Sequence, residues 1–227
     1  MTPDEIEELA SKVPLFSNLN ARERKTICSV MVAREFSPGE VVLREDDNDS
    51  HTFFIIATGL VHVAILSSEG KQTILATLKR GEFFGEMAIL DGEPRSASVI
   101  AAQRCILLML YRRDFLQVLR EYPQITIHML IEMSRRLRKS NRHINTLSLM
   151  SVYGRVAEVL LQMGREQGSK VDGMVVIENR PTHQIIADMA GTSRETVSRV
   201  LSQLQKKRYI HIDRKKMVIL NEEKLYD

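Results

Sequence analysis

The hydrophobic pattern of this chain changes its period at Pro123, and that change constrains the fold more than any other feature. Before Pro123 the apolar residues form short runs rich in Val, Ile, Phe and Thr, separated by turn signals such as Pro38-Gly39 and Arg80-Gly81. Runs of this kind are typical of the strands of a β-barrel or sandwich. After Pro123 the pattern is helical for about seven turns. We therefore predict an α+β protein in which a mainly β domain precedes a long helix.

Six short runs are the predicted strands. They are residues 40–45, 52–58, 60–67, 72–78, 97–101 and 105–110. An amphipathic segment from Asp4 to Ala10 and a helix from Ala21 to Ala33 are predicted to precede them. The predicted domains are 1–122 for the β domain, 123–150 for the long helix and 151–227 for the last domain.

Charge divides the chain at almost the same place. Residues 1–133 carry 14 Lys and Arg against 19 Asp and Glu, whereas residues 134–227 carry 18 against 10. The resulting net charges of −5 and +8 predict different partners, and a basic second half favours nucleic acid. No apolar run approaches the roughly 18 residues that span a bilayer, and the acidic start is unlike a secretory signal. We therefore expect a cytoplasmic protein with no membrane partner.

The residue types that usually carry catalysis or bind metals are scattered. Cys28 and Cys105 have no paired spacing, which predicts buried thiols and neither a disulfide framework nor an iron–sulfur cluster. The six histidines are dispersed, and the sequence shows no nucleophile with a placed base. We therefore predict no enzyme activity and no metal site.

The long helix carries a heptad pattern. Leu130, Leu137 and Ile144 recur every seven residues. A second seam, three residues further on, comprises Met133, Ser140 and Leu147. Two occupied seams predict a dimerisation helix and a homodimer, whereas a helix that packs only against its own β domain is the alternative. Ser140 interrupts the apolar seam, and a polar residue there either fixes the register or faces a ligand.

The last third of the chain contains a helix-turn-helix pattern. Thr182 is a predicted N-cap, and Gly191 is predicted to end the short helix that follows it. A second helix is predicted to begin near Arg194. Its predicted buried face consists of Val197, Val200, Leu201 and Leu204.

The exposed side of the second helix carries residue types that read DNA. Arg194 and Arg199 can each donate two hydrogen bonds to guanine, and Glu195 can accept one from a cytosine amino group. An ordinary charged helix face is the alternative, but the cap, the turn glycine and the basic surroundings agree with DNA binding. A predicted hairpin after this helix places the three cations of its turn, Asp213 to Lys216, near a phosphate backbone. The predicted DNA-binding residues are Thr182, His183, Gln184, Ser193, Arg194, Glu195, Thr196, Ser198 and Arg199.

Two segments carry a resemblance that extends over nearly the whole chain. Residues 192–201 (TSRETVSRVL) are similar to the recognition helix of the cyclic-AMP receptor protein and fumarate/nitrate regulator family of bacterial transcription factors. Residues 84–99 (FGEMAILDGEPRSASV) are similar to the phosphate-binding cassette of cyclic-nucleotide-binding domains. The resemblance implies an N-terminal jelly-roll-like β-roll, a long dimerisation helix and a C-terminal winged helix-turn-helix. It also implies a homodimer on a pseudo-palindromic operator in double-stranded DNA, with residues 165–173 as an exposed loop for RNA polymerase.

The cassette implies a binding site for a 3′,5′-cyclic nucleotide. Glu86 would accept a hydrogen bond from the ribose 2′-hydroxyl, and a short helix beginning at Met87 would direct amide groups at the phosphate. Arg95 would form a charge-assisted pair with the phosphate oxygens, although a pair with Glu86 or Glu93 is the alternative explanation of this arginine. The implied ligand-binding residues are Gly85, Glu86, Met87, Ala88, Arg95, Ser96, Ala97, Ser140 and Asn141.

The resemblance also bears on the identity of the ligand. Ser140 and Asn141 align with positions that hydrogen-bond the base, where the cyclic-AMP receptor has Thr and Ser. Ser96, directly after the cassette arginine, favours cyclic AMP, which is the predicted ligand, and no cofactor is expected. The predicted function is a dimeric regulator that cyclic AMP shifts to a DNA-competent state. A family member that binds DNA without a cyclic nucleotide, or that senses another small molecule, is the alternative.

Overall fold

The chain forms two compact units, Met1–Arg136 and Leu137–Asp227. The computed structural model describes residues 2–48, 51–66, 72–171 and 173–226. The first unit combines two sheets with helices, and the second combines helices with a small sheet, so the predicted α+β class is confirmed.

The first unit is a β-roll made of two antiparallel sheets. Its helices are α1 (Pro3–Ser11), α2 (Ala21–Cys28), α3 (Met87–Asp91), α4 (Arg112–Glu121) and the first part of α5 (Pro123–Leu149). Its strands are β1 (Val32–Phe36), β2 (Val41–Leu43), β3 (Thr52–Thr58), β4 (Leu60–Leu66), β5 (Gln72–Lys79), β6 (Phe83–Phe84), β7 (Ser98–Ala101) and β8 (Cys105–Tyr111). The strand orders are β1-β8-β3-β6 and β2-β7-β4-β5. Each of the six predicted runs lies on one of these strands.

Strand β3 is buried on both of its faces, which explains why it is apolar almost throughout. Phe54 and Ile56 point into a cluster that residues of both sheets form between them. Phe53 and Ile55 point the other way, into a cluster shared with α1, α2, α4 and the start of α5. Because successive side chains of a strand alternate between its faces, one strand can supply two cores.

The predicted helix from Ala21 to Ala33 is wrong in its second half. The helix begins as expected, since the Asn20 side chain accepts from the Glu23 amide and the Glu23 carboxylate accepts from the Asn20 amide. It ends at Cys28, and Val32–Phe36 forms strand β1 instead. Pairing with β8 along this whole segment outweighs its weak helical pattern, because backbone hydrogen bonds to a neighbouring strand are invisible to local periodicity.

Helix α5 spans Pro123–Leu149, where the long helix was predicted. Proline at its start fixes a helical φ, and the amide hydrogen that it lacks would have had no partner within the helix. Leu130, Leu137 and Ile144 are all more than half exposed in the single chain. These are the first-seam residues, and an apolar seam left open to solvent is what a dimerisation helix presents. The side chain of Leu147 lies outside the described residues.

The second unit contains the helix-turn-helix and a small sheet. Its elements after α5 are α6 (Val152–Gln167), β9 (Ser169–Val171), β10 (Met174–Ile177), α7 (His183–Ala190), α8 (Arg194–Lys206), β11 (Ile210–Asp213) and β12 (Lys216–Ile219). The strand order is β11-β12-β10-β9, all antiparallel. One core joins α6, α7, α8 and the sheet, and it includes the four predicted apolar residues of the second helix. The predicted hairpin is present as β11 and β12.

The exposed loop predicted for residues 165–173 is wrong in part. Helix α6 extends to Gln167, and Ser169–Val171 forms strand β9, because Val171 and Ser169 pair with β10. Asp172 lies outside the described residues. In the described part of the chain, no helix is both long and apolar enough to cross a membrane.

Candidate functional site

The segment between β6 and β7 folds back on the start of β3 through Gly85. This residue has a φ of +81°, in the left-handed region that favours glycine. A Cβ at this position would lie 2.9 Å from the Thr52 carbonyl oxygen and 3.1 Å from Nη1 of Arg95. Only glycine therefore allows the backbone to approach the arginine this closely. Helix α3 follows directly and begins at Met87, as predicted.

Arg95 is buried, with only 3% of its surface exposed. Its Nη1 donates to the Gly85 carbonyl oxygen at 2.8 Å, and its Nη2 donates to the Thr52 carbonyl oxygen at 3.0 Å. Its backbone is fixed as well, because its amide donates to the Asp47 carbonyl oxygen and its carbonyl oxygen accepts from the Asp46 amide. The guanidinium is thereby oriented by the start of β3 and by the turn at Gly85, which reduces the ordering entropy that a phosphate contact would cost.

Glu86 is equally buried, and its charge partner was not identified from the sequence. Nη1 of Arg136, on α5, lies 3.2 Å from its Oε1. Arg136 also donates to the Phe83 carbonyl oxygen at 2.5 Å and stacks over the Phe83 ring. Burial raises the pKa of the Glu86 carboxyl above its ordinary value, while the nearby Arg136 charge acts in the opposite direction. In the sequence, Arg136 stands in a group of basic residues on the long helix, with Arg135, Arg138 and Lys139, and nothing there links it to Glu86.

The remaining cassette residues lie next to Glu86 and Arg95 along the chain. Ala88 and Ala97 are buried and small, whereas Met87 and Ser96 are exposed. The Ser96 hydroxyl contacts the Met87 sulfur at 3.8 Å. Glu93, the other alternative partner of Arg95, is exposed. The structure thus brings together the seven predicted residues from Gly85 to Ala97.

Ser140 and Asn141 lie exposed on α5, in the second compact unit. Their exposure fits a role in an interface or in ligand binding. Their assignment to the base of a ligand stays a prediction.

The helix-turn-helix follows the sequence pattern closely. Thr182 caps α7, because its hydroxyl accepts from the Ile185 amide, and Gly191 ends this helix with a φ of +59°. Ser193 caps α8 in the same way by accepting from the Thr196 amide at 3.2 Å. Ser193 was predicted only as a DNA-binding residue, so its capping role is an addition.

The predicted DNA-reading side chains lie at the N-terminal half of α8. Arg194, Glu195 and Arg199 are exposed, which leaves them available to base edges. Thr182, Gln184 and Ser193 are exposed as well, and Thr196 is half-buried. His183 and Ser198 are half-buried and hydrogen-bonded to each other across the two helices, with 2.8 Å between Nδ1 and Oγ.

Arg155, on α6, is a further residue that the sequence analysis missed. Its Nε donates to the Ala190 carbonyl oxygen at 2.9 Å, and its Nη2 donates to the Gly191 carbonyl oxygen at 3.2 Å. These carbonyls belong to the last residue of α7 and to the glycine that ends it, where carbonyl groups have no partner within the helix. Arg155 therefore fixes the turn that orients α8.

Metal binding has no support among the described residues. Across residues 2–48, 51–66, 72–171 and 173–226, no three His, Cys, Asp or Glu side chains are grouped so that they could hold an ion.

A β-roll with a buried arginine and glutamate, followed by a long helix and a winged helix-turn-helix, defines the class of ligand-binding, DNA-binding regulators. Residues 33–122 match the cyclic nucleotide-binding domain, and residues 154–227 match the Crp-like helix-turn-helix domain. The chain is 34% identical over 191 residues to the cyclic AMP receptor protein of Thermus thermophilus. The alignment covers 84% of this chain and 85% of that protein. The chain belongs to the cyclic-AMP receptor protein and fumarate/nitrate regulator family of transcription regulators.

Solved structures support the same fold. A CooA mutant from Carboxydothermus hydrogenoformans aligns with a TM-score of 0.80 at 24% identity, covering 94% of each chain. The c-di-GMP responsive global regulator CLP of Xanthomonas campestris aligns with a TM-score of 0.78 at 22% identity, covering 89% of this chain and all of that one. At these identities the likeness concerns the fold alone.

Proposed function

We propose that this protein is a homodimeric transcription regulator that binds DNA in response to a cyclic nucleotide, with cyclic AMP as the ligand. The observation that carries the proposal is the buried, backbone-held Arg95 beside the buried Glu86. A guanidinium oriented at a glycine-lined backbone turn suits a singly charged cyclic phosphate. We propose no catalytic activity, and we place the protein in the cytoplasm, where a bacterial regulator meets its DNA.

In the proposed complex each part of the nucleotide meets one kind of group. The phosphate oxygens accept from Arg95, from the Ser96 hydroxyl and from the Ala97 amide. The ribose 2′-hydroxyl donates to Glu86, where the nearby charge of Arg136 opposes the rise in the pKa of the carboxyl that burial causes. Because Arg136 lies in the middle of α5, a ligand that contacts Glu86 acts next to the dimer helix. Ser140 and Asn141 would supply the contacts to the base.

The proposed response is a shift between two states of the dimer. The exposed seam of Leu130, Leu137 and Ile144 supports pairing of α5 with its copy. In the DNA-competent state the two α8 helices would enter successive major grooves, about 34 Å apart, at a pseudo-palindromic operator. Nucleotide must bind this state more tightly than the other, or the equilibrium does not move. Contact of residues 165–173 with RNA polymerase remains part of the proposal by family analogy.

The first experiment is calorimetric titration of cyclic AMP, cyclic GMP and cyclic di-GMP into the purified protein. Saturable binding of cyclic AMP at one site per chain, together with tighter binding to DNA in its presence, is the expected result. Binding of cyclic di-GMP without binding of cyclic AMP would contradict cyclic AMP as the ligand and would assign cyclic di-GMP in its place. Heat from none of the three would support the alternative of a regulator that senses another molecule or binds DNA unaided.

Arg199 is expected to read a base. The Arg199→Ala variant should lose about 10–100-fold in affinity for the preferred base at one position of each half-site, and little for the other bases there. The measurement is fluorescence anisotropy with duplexes that differ at single positions, starting from a duplex selected by the wild-type protein. Lys206→Ala, at the other end of the same helix, is the control and should leave the preference intact. Equal losses on every duplex would show that Arg199 contacts phosphate.

His183 is expected to make DNA binding dependent on pH. Burial, followed by the positive charges of Arg180 and Arg194, lowers the pKa of His183 from its ordinary value, so the imidazole is neutral near pH 7. A phosphate contact would raise that pKa, so binding would take up a proton and affinity should rise several-fold between about pH 7.5 and about pH 6.

Anisotropy titrations across this range should show the dependence for the wild type and for His211→Gln, but not for His183→Gln. His211 is an exposed histidine of the same unit, which makes it a matched control. A pH dependence that survives in His183→Gln would limit His183 to its hydrogen bond with Ser198.

A further inference from the structure

The turn of the wing hairpin adopts a conformation that needs support. Arg214 and Lys215 form the turn between β11 and β12. Arg214 has a φ of +45°, in the left-handed region that arginine rarely adopts. Both side chains are exposed. A turn of this kind persists only when its surroundings hold it.

The segment before α7 supplies that support through one residue. The Arg180 amide donates to the Lys215 carbonyl oxygen at 2.8 Å. The Arg180 Nε donates to the Arg214 carbonyl oxygen at 3.1 Å. Arg180 therefore binds the carbonyl groups of both turn residues, one through its backbone and one through its side chain.

A second contact reinforces the first. The Glu178 carboxylate lies 3.0 Å from Nζ of Lys216, the first residue of β12. Lys216 is one of the three cations of the turn region and is held in this ion pair. Arg214 and Lys215 are the two cations at the turn itself. After burial, the positive charge of Arg180 contributes to lowering the pKa of His183, so the residue that holds the turn also lies near the start of α7.

We propose that Arg180 is a positioning residue for DNA binding, which holds the wing turn so that Arg214 and Lys215 contact the phosphate backbone beside the half-site. The proposal rests on the DNA-binding function proposed above. Arg180 acts through the Nε hydrogen bond to the Arg214 carbonyl, and not through its charge. Lysine keeps the charge but cannot reproduce this donor, because its ammonium group lies at the end of a flexible chain.

The test compares charge-conserving and charge-removing variants of the full-length protein on a duplex selected by the wild type. Arg214→Ala/Lys215→Ala should reduce the slope of log affinity against log salt by about 4, because two phosphate contacts are lost in each half-site of the homodimer. Arg180→Lys should reduce the slope in the same direction by about 2 or more, although the net charge is unchanged. Arg165→Lys, an exposed charge-conserving change on α6, is the matched control and should leave the slope unchanged.

A double-mutant cycle decides how Arg180 acts. If Arg180 works through the turn, Arg180→Lys should have no further effect in the Arg214→Ala/Lys215→Ala background. Two results would overturn the proposal. Losses that add up would show that Arg180 makes a contact of its own that is independent of the turn, and an Arg180→Lys variant that binds like the wild type would show that Arg180 has no role in holding the turn. Wild-type protein that selects no duplex would overturn the DNA-binding function itself. Thermal unfolding of each variant identifies a loss caused by misfolding. Arg180→Gln places a planar N–H donor as many bonds from the backbone as Nε of Arg180, so its salt slope should lie between those of Arg180→Lys and the wild type.

Discussion

The Arg95→Leu variant should bind cyclic AMP at least about 100-fold more weakly than the wild type, because two charge-assisted hydrogen bonds to the phosphate are lost. Leucine has a similar apolar stem but no donor. The loss should appear as a rise in the dissociation constant measured by calorimetry. Arg95→Lys should be intermediate, since it keeps a charge but not the paired geometry.

Two measurements separate ligand binding from folding in this comparison. Arg95→Leu leaves the Gly85 and Thr52 carbonyl oxygens without their present donors, so its thermal stability must be measured alongside. Arg104→Leu removes an exposed arginine of the same unit, whose partner is Glu35, and should bind cyclic AMP normally. Wild-type affinity in a folded Arg95→Leu variant would contradict the proposed phosphate site.

The Gly59→Ala variant should destabilise the first unit by about 3 kcal/mol or more. Gly59 joins β3 to β4 with a φ of +94°, and a Cβ there would lie 2.4 Å from the Cys105 Cβ and 2.7 Å from the Arg104 carbonyl oxygen. The turn would have to move away from β8, and the hydrogen bonds between β3 and β8 would be strained. Amide hydrogen exchange on β3 and β8 measures the effect in this unit alone.

Gly39→Ala is the matched control for this prediction. Gly39 has a similar φ of +83°, but no atom lies within 4 Å of its added Cβ. Its cost should be the conformational strain alone, about 1 kcal/mol. Equal costs for the two variants would show that a small backbone shift relieves the contact with Cys105.

Local patterns predicted the helix-turn-helix because its determinants lie within a few residues of one another. The caps at Thr182 and Gly191 and the apolar face of α8 each act over three or four positions. Strands β2 to β5, β7 and β8 were predicted for a similar reason, since most are apolar runs bounded by turns, whereas the two-residue strand β6 was not predicted. Strand β1 was missed because its segment Val32–Phe36 is mostly exposed and carries a weak pattern of its own.

The residues of the ligand site were predicted from local sequence, whereas their contacts were not. Its residue types were readable from residues 84–99, because a glycine, a glutamate and an arginine at these spacings resemble a known cassette. The partners of these residues were not. Arg136 is 50 positions from Glu86, and Thr52 is 43 positions from Arg95, so nothing local connects them.

The sequence by itself determined the secondary structure of most segments, the order of the parts and the family. Only the tertiary structure decided which carbonyl groups hold Arg95, which cation neutralises Glu86 and which arginines fix the two turns of the DNA-binding unit. The physical reason is that helix caps and strand periodicity are set by neighbours along the chain, whereas hydrogen bonds to Arg95, Arg136, Arg155 and Arg180 join groups that only folding brings together.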